Sequence, residues 1–474
     1  MTSHIRVTNT LTRQAEDFVP VSGNEVKMYV CGPTVQSAPH VGHGRAGVAF
    51  DMIRRYLAYR GYGVTFVRNI TDVEDKIIAA AAESGETTEV LSRRVAETFA
   101  GAYEALGVLE PDVEPKATEH IPEMLDMIRK LIERGIAYPT ESGDVYYSVR
   151  MMENYGRLSG RNVDEMRSGT REIVGELKHD PIDFALWKSA KPGEPSWDSP
   201  WGPGRPGWHI ECSAMAQRYL GETFDIHGGG ADLIFPHHEN EIAQSEGANG
   251  ALFAKYWLHN GMVNLGGEKM AKSTGHVIDL TEAIAKYSGP VVRLFYLRAH
   301  YRSPLEFSES LMEEARASLQ RISGLLGRVE CAEHDAAPEI IEAFIEKMDD
   351  DFNTPEALGV AFETVREANR RLDAGEPAGH LAAAVAEMID VLGIELADAD
   401  DNVADLGDAV SAIAGDLGVS DAGTTAETLD RLLDRRASAR SERDFATSDR
   451  IRDELAALGI SIEDGPDGSQ WHRR

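Results

Sequence analysis

The sequence predicts an α/β protein whose first domain is a doubly wound parallel sheet interrupted by an insertion. Three consecutive patterns predict this sheet. Val26–Val30 is apolar and extended, Ala46–Tyr59 has helical periodicity, and Gly63–Ile70 is rich in β-branched and aromatic residues. Together they form a βαβ unit with a glycine-rich turn at the carboxyl end of its first strand. In doubly wound sheets, nucleotide sites form at this end of the strands.

The sheet is expected to resume after the insertion. Strand patterns return at Thr223–His227 and Tyr256–Val263. We therefore assign residues 1–70 and 201–305 to the sheet domain and residues 71–200 to the insertion. Within the insertion, the sequence predicts helices over 76–134, a strand over 144–149 and a Pro/Gly/Trp-rich loop over 181–207.

The remaining chain divides into three segments by periodicity and composition. Residues 306–396 have the helical periodicity expected of a bundle. Residues 397–425 are acidic and rich in small side chains, which is typical of a linker. Residues 426–474 predict a small α/β module that contains a helix over 443–458 and a strand over 460–463.

Length and composition indicate a globular, multidomain protein. The chain has 474 residues, of which 42% are hydrophobic and 27% charged. No apolar run reaches membrane-spanning length, and the first residues lack a signal-peptide core, so we expect neither membrane insertion nor secretion. Only three cysteines occur, without the pairing pattern of secreted proteins, which predicts a cytoplasmic location.

The charge of the chain is large and unevenly distributed. A net charge of −31 argues against bulk attraction to nucleic acid, although it allows a local basic surface. Leu372–Asp430 contains no Lys or Arg, whereas Arg431–Arg474 is rich in arginine. Arginines interleaved with aromatic side chains are typical of single-stranded RNA binding, but a solvated helix face gives the same pattern. The candidate RNA-contacting side chains are Arg436, Arg440, Arg443 and Trp471.

Four residues from three separate segments form a candidate metal site. Cys31 follows the first strand, Cys212 lies on a predicted helix, and His237 and Glu241 are one helical turn apart. Two thiolates, an imidazole and a carboxylate suit Zn²⁺. Such a zinc is either structural or binds a substrate. The carboxylate favours the second role, because closed structural sites use Cys and His. His238 is the alternative imidazole.

Two further motifs predict binding of a polyphosphate. Pro39–Arg45 (PHVGHGR) places glycines and two imidazoles, His40 and His43, at the start of a helix, where anions are stabilised. The alternative is that the two histidines only cap or pack. Lys269 and Lys272 lie in a polar, glycine-flanked loop (KMAKSTG) that could clamp phosphates and move during a reaction. The alternative there is a solvated surface turn.

These motifs resemble those of a known enzyme family. HVGH followed far downstream by KMAKS resembles the HIGH and KMSKS pair of class I aminoacyl-tRNA synthetases. Four further motifs are similar to those of cysteinyl-tRNA synthetases: CGPTV (31–35), GWHIECSAM (207–215), HGGGADLIFPHHENEIAQSE (227–246) and DFNTPEAL (351–358). The resemblance extends over nearly the whole chain. Departures are Val41 for isoleucine, Ala271 for serine, and Gln36 where the family often has tyrosine.

The resemblance implies a fold and an activity. The fold would be a Rossmann-like class I catalytic domain with a connective insertion and a stem-contact region near 255–305, followed by a tRNA-binding helical bundle and an anticodon-binding module. The enzyme would activate L-cysteine with ATP and Mg²⁺ and transfer it from cysteinyl-adenylate to the 3′ end of tRNA(Cys). It would be a monomer with one zinc ion per chain.

The resemblance also implies individual roles. His40, His43, Lys269 and Lys272 would stabilise the transition state and hold phosphates. ATP would further contact Pro33, Thr34 and Gly42. The substrate amino acid would contact Gly32, Thr71, Trp208 and Asp232, although an aspartate after three glycines is as readily a turn residue. Zinc on Cys31, Cys212, His237 and Glu241 would bind the substrate's thiolate, which a serine hydroxyl replaces poorly.

Two other functions are compatible with parts of this sequence. A relative that activates cysteine but transfers it to an amino-sugar, as in the mycothiol pathway, would need no RNA. The CGPTV sequence that begins at Cys31 argues against it, and so does the long helical, arginine-rich C-terminal third. A catalytically silent protein that kept the zinc and RNA contacts is the second alternative. Intact HVGH and KMAKS motifs argue against that one.

Overall fold

We analysed a computed structural model of the chain. It describes residues 4–164, 178–265, 268–269, 278–329, 334–396, 403, 406–420, 422–465 and 468–473. Clustering of contacts divides the chain into two units, 1–394 and 395–474. Among the described residues, no helix is both long enough and apolar enough to cross a bilayer.

A four-stranded parallel sheet forms the centre of the first unit. Its order is β10–β9–β3–β4, and one helix, α1, connects β3 to β4. The order therefore reverses between β3 and β9, which is the topological switch point at which doubly wound sheets bind ligands. The elements are β3 (Glu25–Val30), α1 (Val41–Tyr59), β4 (Gly63–Arg68), β9 (Phe224–Gly230) and β10 (Ala254–Asn260).

Among the described residues, the insertion after β4 contains helices α2, α3 and α4 and an antiparallel sheet of order β5–β6–β7–β8. Its helix α4 packs on α5 and α6, the two helices that flank β9, so the insertion shares a core with the parallel sheet. The elements of the insertion and the two flanking helices are α2 (Asp75–Ser84), α3 (Thr88–Ala105), α4 (Ile121–Glu133), β5 (Ala137–Pro139), β6 (Val145–Tyr147), β7 (Phe184–Ser189), β8 (Gly204–Pro206), α5 (Trp208–Leu220) and α6 (Glu239–Asn249).

A helical bundle follows, joined to the sheet domain by α7, α8 and small strands. Arg293 on α8 is fully buried and donates to Asp51 on α1 and to the carbonyl of Leu392 at the end of the bundle. The elements are β1 (Arg6–Asn9), β2 (Gln14–Asp17), β11 (Val263–Leu265), β12 (Glu268–Lys269), α7 (Leu280–Tyr287), α8 (Gly289–Leu297), β13 (Leu305–Phe307), α9 (Glu309–Leu326), α10 (Pro338–Asp349), α11 (Thr354–Asp373) and α12 (Gly379–Val391).

The second unit has its own small core. Val410, Leu429, Ile451 and Ile460 are buried in it. It contains α13 (Gly407–Asp416), α14 (Thr425–Ser441), α15 (Phe445–Ala457) and the antiparallel pair β14 (Ile460–Gly465) and β15 (Gly468–Arg473).

The predicted fold class agrees with this architecture, and three segments differ from the expectations. Helix α1 begins at Val41 rather than Ala46, because His40 caps it. The expected loop over 181–207 contains β7 and β8, so the insertion's sheet runs past residue 200. The expected linker over 397–425 contains α13, whose apolar face is buried in the C-terminal core. The other domain boundaries remain predictions.

Candidate active site

A cavity of about 500 Å³ opens at the switch point of the sheet. Cys31 follows β3 directly, and its backbone N–H donates to the carbonyl of Gly228 on β9, at 3.1 Å. The start of α1 and the segment after β10 form the other walls. The lining residues are Cys31, Gly32, Thr34, Gln36, His40, Gly42, His43, Ala46, Lys76, Tyr103, Trp208, Gly230, Asp232, Leu233, Asn260, Gly261, Met262 and Val263.

The four candidate metal ligands meet at the base of this cavity. One donor atom from each of Cys31, Cys212, His237 and Glu241 lies within 4.8 Å of the other three. Glu241 Oε1 is 3.3 Å from Cys31 Sγ and 3.1 Å from His237 Nε2. Cys212, His237 and Glu241 are each at most 1% exposed. The structure thus brings together residues that are up to 210 positions apart.

Local structure aims these side chains at one point. Cys212 lies in α5, whose inner face packs against β3. His237 and Glu241 are four positions apart, one at the end of a short kinked π-helical segment (Ile234–His238) and the other in the first turn of α6. Because side chains at i and i+4 share a face of a helix, the imidazole and the carboxylate converge.

A second set of donors overlaps the first. Cys31, His227, His238 and Glu241 also lie within 4.8 Å of one another. His227 Nε2 is 3.4 Å from Glu241 Oε2, and His238 Nε2 is 3.9 Å from Glu241 Oε1. His238, the residue next to His237 and the alternative imidazole, therefore also lies in the cluster. Its Nδ1 is 2.8 Å from Nε2 of His259, which anchors the ring on β10.

Burial sets the protonation of this cluster. Burial raises the pKa of both Cys31 and Cys212, so without a cation the pair is held as thiols. It lowers the pKa of His237 to about 3, which keeps the imidazole neutral and able to coordinate. Burial alone would raise the pKa of Glu241, but His227 and His237 lower it below its usual value. A dication would therefore bind with release of thiol protons.

The residues present fit zinc. Tetrahedral zinc with bonds of about 2.0–2.3 Å requires donor atoms roughly 3.3–3.8 Å apart, and the measured Glu241 distances lie close to this range. Two sulfurs, one imidazole and one carboxylate are donors that zinc accepts, and thiolate sulfur disfavours Mg²⁺ and Ca²⁺. Asn69 Oδ1, 3.6 Å from Cys212 Sγ, and a histidine behind His237 supply outer contacts.

The HVGH segment combines capping with exposure to the cavity. His40 Nδ1 accepts from the N–H of Gly42, and His43 Nδ1 accepts from the N–H of His40, each at 3.1 Å. The two rings stack 3.7 Å apart and both line the cavity. A neutral ring whose Nδ1 accepts carries its hydrogen on Nε2. Both functions that the sequence allowed, capping and donation towards an anion, are therefore compatible here.

The predicted ATP and amino-acid contacts divide between the cavity wall and its support. Gly32, Thr34 and Gly42 line the cavity, as do Trp208 and Asp232. Pro33 and Thr71 do not. Instead, the carbonyl of Pro33 accepts from the N–H of Thr71, and Thr71 is 1% exposed. This pairing holds the Cys31–Val35 turn against the segment after β4.

Glycine is required where this turn approaches its neighbour. A Cβ built on Gly32 would lie 1.6 Å from the carbonyl oxygen of Asn69, which no side chain tolerates. The N–H of Gly32 donates to Asn69 Oδ1 at 2.9 Å. This close approach fixes the backbone next to Cys31, and both Cys31 and Gly32 line the cavity.

The KMAKS loop lies largely outside the described residues. Lys272 is among the residues that are not described, and of Lys269 only the backbone is described, as part of β12. In β12, Lys269 pairs with Asn264 of β11, two residues after the cavity-lining Met262. The predicted phosphate contacts of both lysines therefore remain predictions.

The predicted RNA-contacting residues differ in exposure. Arg440 and Arg443 are exposed, next to Phe445, which is 62% exposed. Arg436 is buried and donates to the hydroxyl of Ser469, and Trp471 Nε1 donates to Asp430. Arg440 and Arg443 thus lie at the surface of the C-terminal unit, whereas Arg436 and Trp471 make contacts inside it.

Two functional positions were not predicted from the sequence. His227 lies 3.5 Å from Cys31 Sγ because β9 pairs with β3, placing His227 opposite Tyr29. A histidine directly before three glycines at a strand end was the available signal. Lys76 enters the cavity from the insertion, and a lysine in a helical segment gives no such signal.

The chain matches three protein-family models. The family model described as "tRNA synthetases class I (C) catalytic domain" matches residues 17–317. The "DALR domain" matches residues 343–397, and the "Cysteinyl-tRNA ligase anticodon binding domain" matches residues 423–471. The three matches correspond to the sheet domain with its insertion, the end of the helical bundle and the C-terminal unit.

Curated relatives and solved structures agree with these matches. The cysteine–tRNA ligase of Geobacter metallireducens is 50% identical over 489 residues, covering 98% of this chain and 99% of the relative. That of Thioalkalivibrio sulfidiphilus is 49% identical, covering 99% and 100%. Mycobacterium tuberculosis methionyl-tRNA synthetase bound by methionyl-adenylate shares the fold, with a TM-score of 0.56 at 16% identity over 84% of this chain and 94% of that chain.

Proposed function

This chain belongs to the cysteine–tRNA ligase family of class I aminoacyl-tRNA synthetases, and from that premise we propose how its residues perform the reaction. It activates L-cysteine with ATP and charges tRNA with it. The amino-sugar ligase and the silent relative are not supported, because the relatives match over the whole chain, including the anticodon-binding domain.

In the first step, a carboxylate oxygen of cysteine attacks the α-phosphorus of ATP. The bond from that phosphorus to the bridging oxygen breaks, and pyrophosphate leaves with the electron pair. Negative charge grows on the phosphate oxygens. The imidazoles of His40 and His43, held by the backbone at their Nδ1 atoms, offer Nε2–H donors to this charge. Lys269 and Lys272 are proposed to hold the β- and γ-phosphates.

The residues Cys31, Cys212, His237 and Glu241 are proposed to hold one zinc ion per chain that binds the substrate's sulfur. Zinc bound there would lower the pKa of the thiol and favour cysteine over serine. The observation that carries this proposal is the position of Cys31, which is a member of the cluster and also lines the cavity. A purely structural site would be closed on all sides.

The other amino-acid contacts follow from the cavity. Trp208 forms its wall next to His237, with the two rings 4.3 Å apart. Asp232 lines the cavity in a turn after β9 and is proposed to receive the ammonium group. Thr34 and Gly42 line the cavity at the end proposed for ATP, and Gly32 lines it where the amino acid is proposed to bind. Pro33 and Thr71 are proposed to support this wall without touching ligand.

Transfer to tRNA is proposed to use the C-terminal unit for anticodon contacts. Arg440 and Arg443 offer exposed charge, and Phe445 offers an exposed ring for stacking. Because the proposed site needs two free thiols, we expect the enzyme to act in the reducing cytoplasm. We also expect it to act as a monomer and to contact no membrane.

The zinc proposal is tested with matched cysteine variants. Cys212→Ala removes a proposed ligand, and Cys331→Ala removes the third cysteine, which lies outside the described residues. We expect one zinc per chain in the wild type and Cys331→Ala, measured by elemental analysis. Cys212→Ala should lose zinc and raise KM for cysteine in ATP–pyrophosphate exchange. Full cysteine affinity in zinc-free enzyme would contradict the proposal and assign the metal a structural role.

A further inference from the structure

Lys76 contributes the one cationic side chain among the described residues that line the cavity. It lies in the first turn of α2, and Glu74 caps this helix by accepting from the Lys76 N–H at 2.6 Å. The lysine is exposed, and its ammonium lies 5.9 Å from the centre of the Trp208 ring. The Glu74 cap fixes the backbone at the start of α2, and the charged side chain of Lys76 lines the cavity.

Trp208 links this cation to the proposed metal site. The centre of its ring lies 4.3 Å from the ring centre of His237, and the Lys76 ammonium lies 5.9 Å from the centre of the Trp208 ring. The Trp208 ring thus contacts both Lys76 and His237, and His237 is one of the residues proposed to hold the metal that binds the substrate's sulfur. In cysteine, the carboxylate is separated from the sulfur by only two carbon atoms.

The acid next to Lys76 is engaged elsewhere. Asp75 lies 2.5 Å from the Lys188 ammonium and also contacts the guanidinium of Arg205, which is 3% exposed. Within the part of the chain that the structure describes, no carboxylate lies within ion-pair distance of Lys76. A cation that faces a cavity without a carboxylate partner is suited to bind an anionic ligand.

We propose that Lys76 binds the carboxylate of the substrate cysteine and orients it for attack on the α-phosphorus. Asp232 lies in the same cavity and takes the ammonium group, so the amino acid is held at three points. One carboxylate oxygen forms the bond to phosphorus and pyrophosphate leaves, so the other oxygen remains to be held by Lys76.

The inference rests on the proposed binding of the sulfur at the metal cluster, and it has a separate test. Cysteamine has the thiol and the amine of cysteine but lacks the carboxylate. Affinities for cysteine and cysteamine are measured by calorimetry without ATP, in the wild type, Lys76→Met and Lys76→Arg. The matched control is Lys130→Met, which makes the same change on helix α4, outside the cavity.

The expected results are specific to the carboxylate. Lys76→Met should weaken the binding of cysteine about tenfold, equal to about 1.4 kcal/mol, and the binding of cysteamine less than twofold. Lys76→Arg should retain most of the preference for cysteine, and Lys130→Met should retain all of it. Zinc content and the thermal unfolding midpoint are measured for each protein.

Three results would overturn the inference. These are equal weakening of both ligands, unchanged binding of both, or normal activation with slowed transfer to tRNA. A zinc-free wild type that still prefers cysteine through Lys76 would contradict the metal proposal alone, because the preference does not depend on metal content. The two failures are therefore distinguishable.

Discussion

Nδ1 of His209 lies 2.8 Å from Nδ1 of His237. One of these nitrogens must donate and the other accept, so the pair has a fixed hydrogen arrangement. His237 Nε2 faces Glu241 in the cluster, and it needs a lone pair to coordinate. With a metal bound at Nε2, His237 would carry its hydrogen on Nδ1 and donate to His209. His209 is therefore placed to orient the imidazole of a proposed metal ligand.

The first prediction concerns this contact. His209→Ala should weaken zinc binding by about 10–100-fold, because His237 loses the acceptor that fixes its tautomer and orientation. Chelator competition measures this change. His120→Ala is the control, since His120 is also buried and hydrogen-bonded, to Tyr219, outside the cluster. Equal zinc affinity in both variants would exclude the positioning role of His209.

The second prediction distinguishes the two overlapping donor sets. Both contain Cys31 and Glu241, but only the first contains Cys212 and His237. His237→Ala should therefore abolish stoichiometric zinc, whereas His238→Ala should retain it at reduced affinity, since His238 contacts the cluster from behind. Elemental analysis after dialysis decides between them. Retention in His237→Ala with loss in His238→Ala would assign the metal to the second set.

The third prediction concerns Arg45, directly after the HVGH motif. Its guanidinium is buried and donates to four backbone carbonyls, those of Met262 and of three residues in 300–303. Burial lowers the pKa of Arg45 to about 10, so it remains charged at neutral pH. Arg45→Met leaves these carbonyls without a donor and should destabilise the protein by about 3 kcal/mol. Because Met262 lines the cavity, KM for ATP should rise as well.

Thermal unfolding and ATP–pyrophosphate exchange measure both effects. Arg134→Met is the control, because Arg134 also donates to two backbone carbonyls but at the surface, where water replaces it. Its effect should stay under about 1 kcal/mol. An Arg45 variant as stable as this control would show that the carbonyls find other donors.

The fourth prediction is a pH dependence of stability. Burial alone would raise the pKa of Asp75, but Lys188 and Arg205 lower it below its usual value. A lowered carboxyl pKa stabilises the folded state above the unfolded pKa of about 3.9, and this stabilisation is lost as pH falls through the folded value. Asp75→Asn should therefore lower the free energy of unfolding by about 1 kcal/mol at pH 7 and leave it unchanged at acidic pH. The effect at pH 7 is small because solvent screens the half-exposed carboxylate.

Denaturant midpoints across pH 3–8 measure this difference. Asp126→Asn is the control, since its carboxylate is equally exposed, 51%, and pairs only with neighbouring surface cations. A constant difference between wild type and Asp75→Asn over the whole pH range would contradict the assignment to ionisation.

Sequence patterns predicted the βαβ unit because its periodicity is local. The same patterns missed the start of α1, since glycines and histidines at 40–44 are typical of a turn until His40 is seen to cap the helix. They also missed α13, whose small and acidic residues predict a linker when taken alone. Its Val410 is buried only because α14 and α15 fold over it.

The metal cluster could be predicted because cysteine and histidine are rare and the His237–Glu241 spacing is helical. His227 and Lys76 could not, because their positions depend on long-range pairing. His227 reaches Cys31 through the register of β9 against β3, and Lys76 reaches the cavity through the packing of the insertion. Neither register nor docking is encoded in a local pattern.

The proposed mechanism requires that the substrate's sulfur binds a zinc ion held by Cys31, Cys212, His237 and Glu241. X-ray absorption at the zinc edge, recorded on the enzyme with and without cysteine, counts the sulfur atoms around this ion. We expect about two sulfur neighbours in the free enzyme and one more when cysteine is added, with no change on adding serine. An unchanged sulfur number on adding cysteine would contradict it.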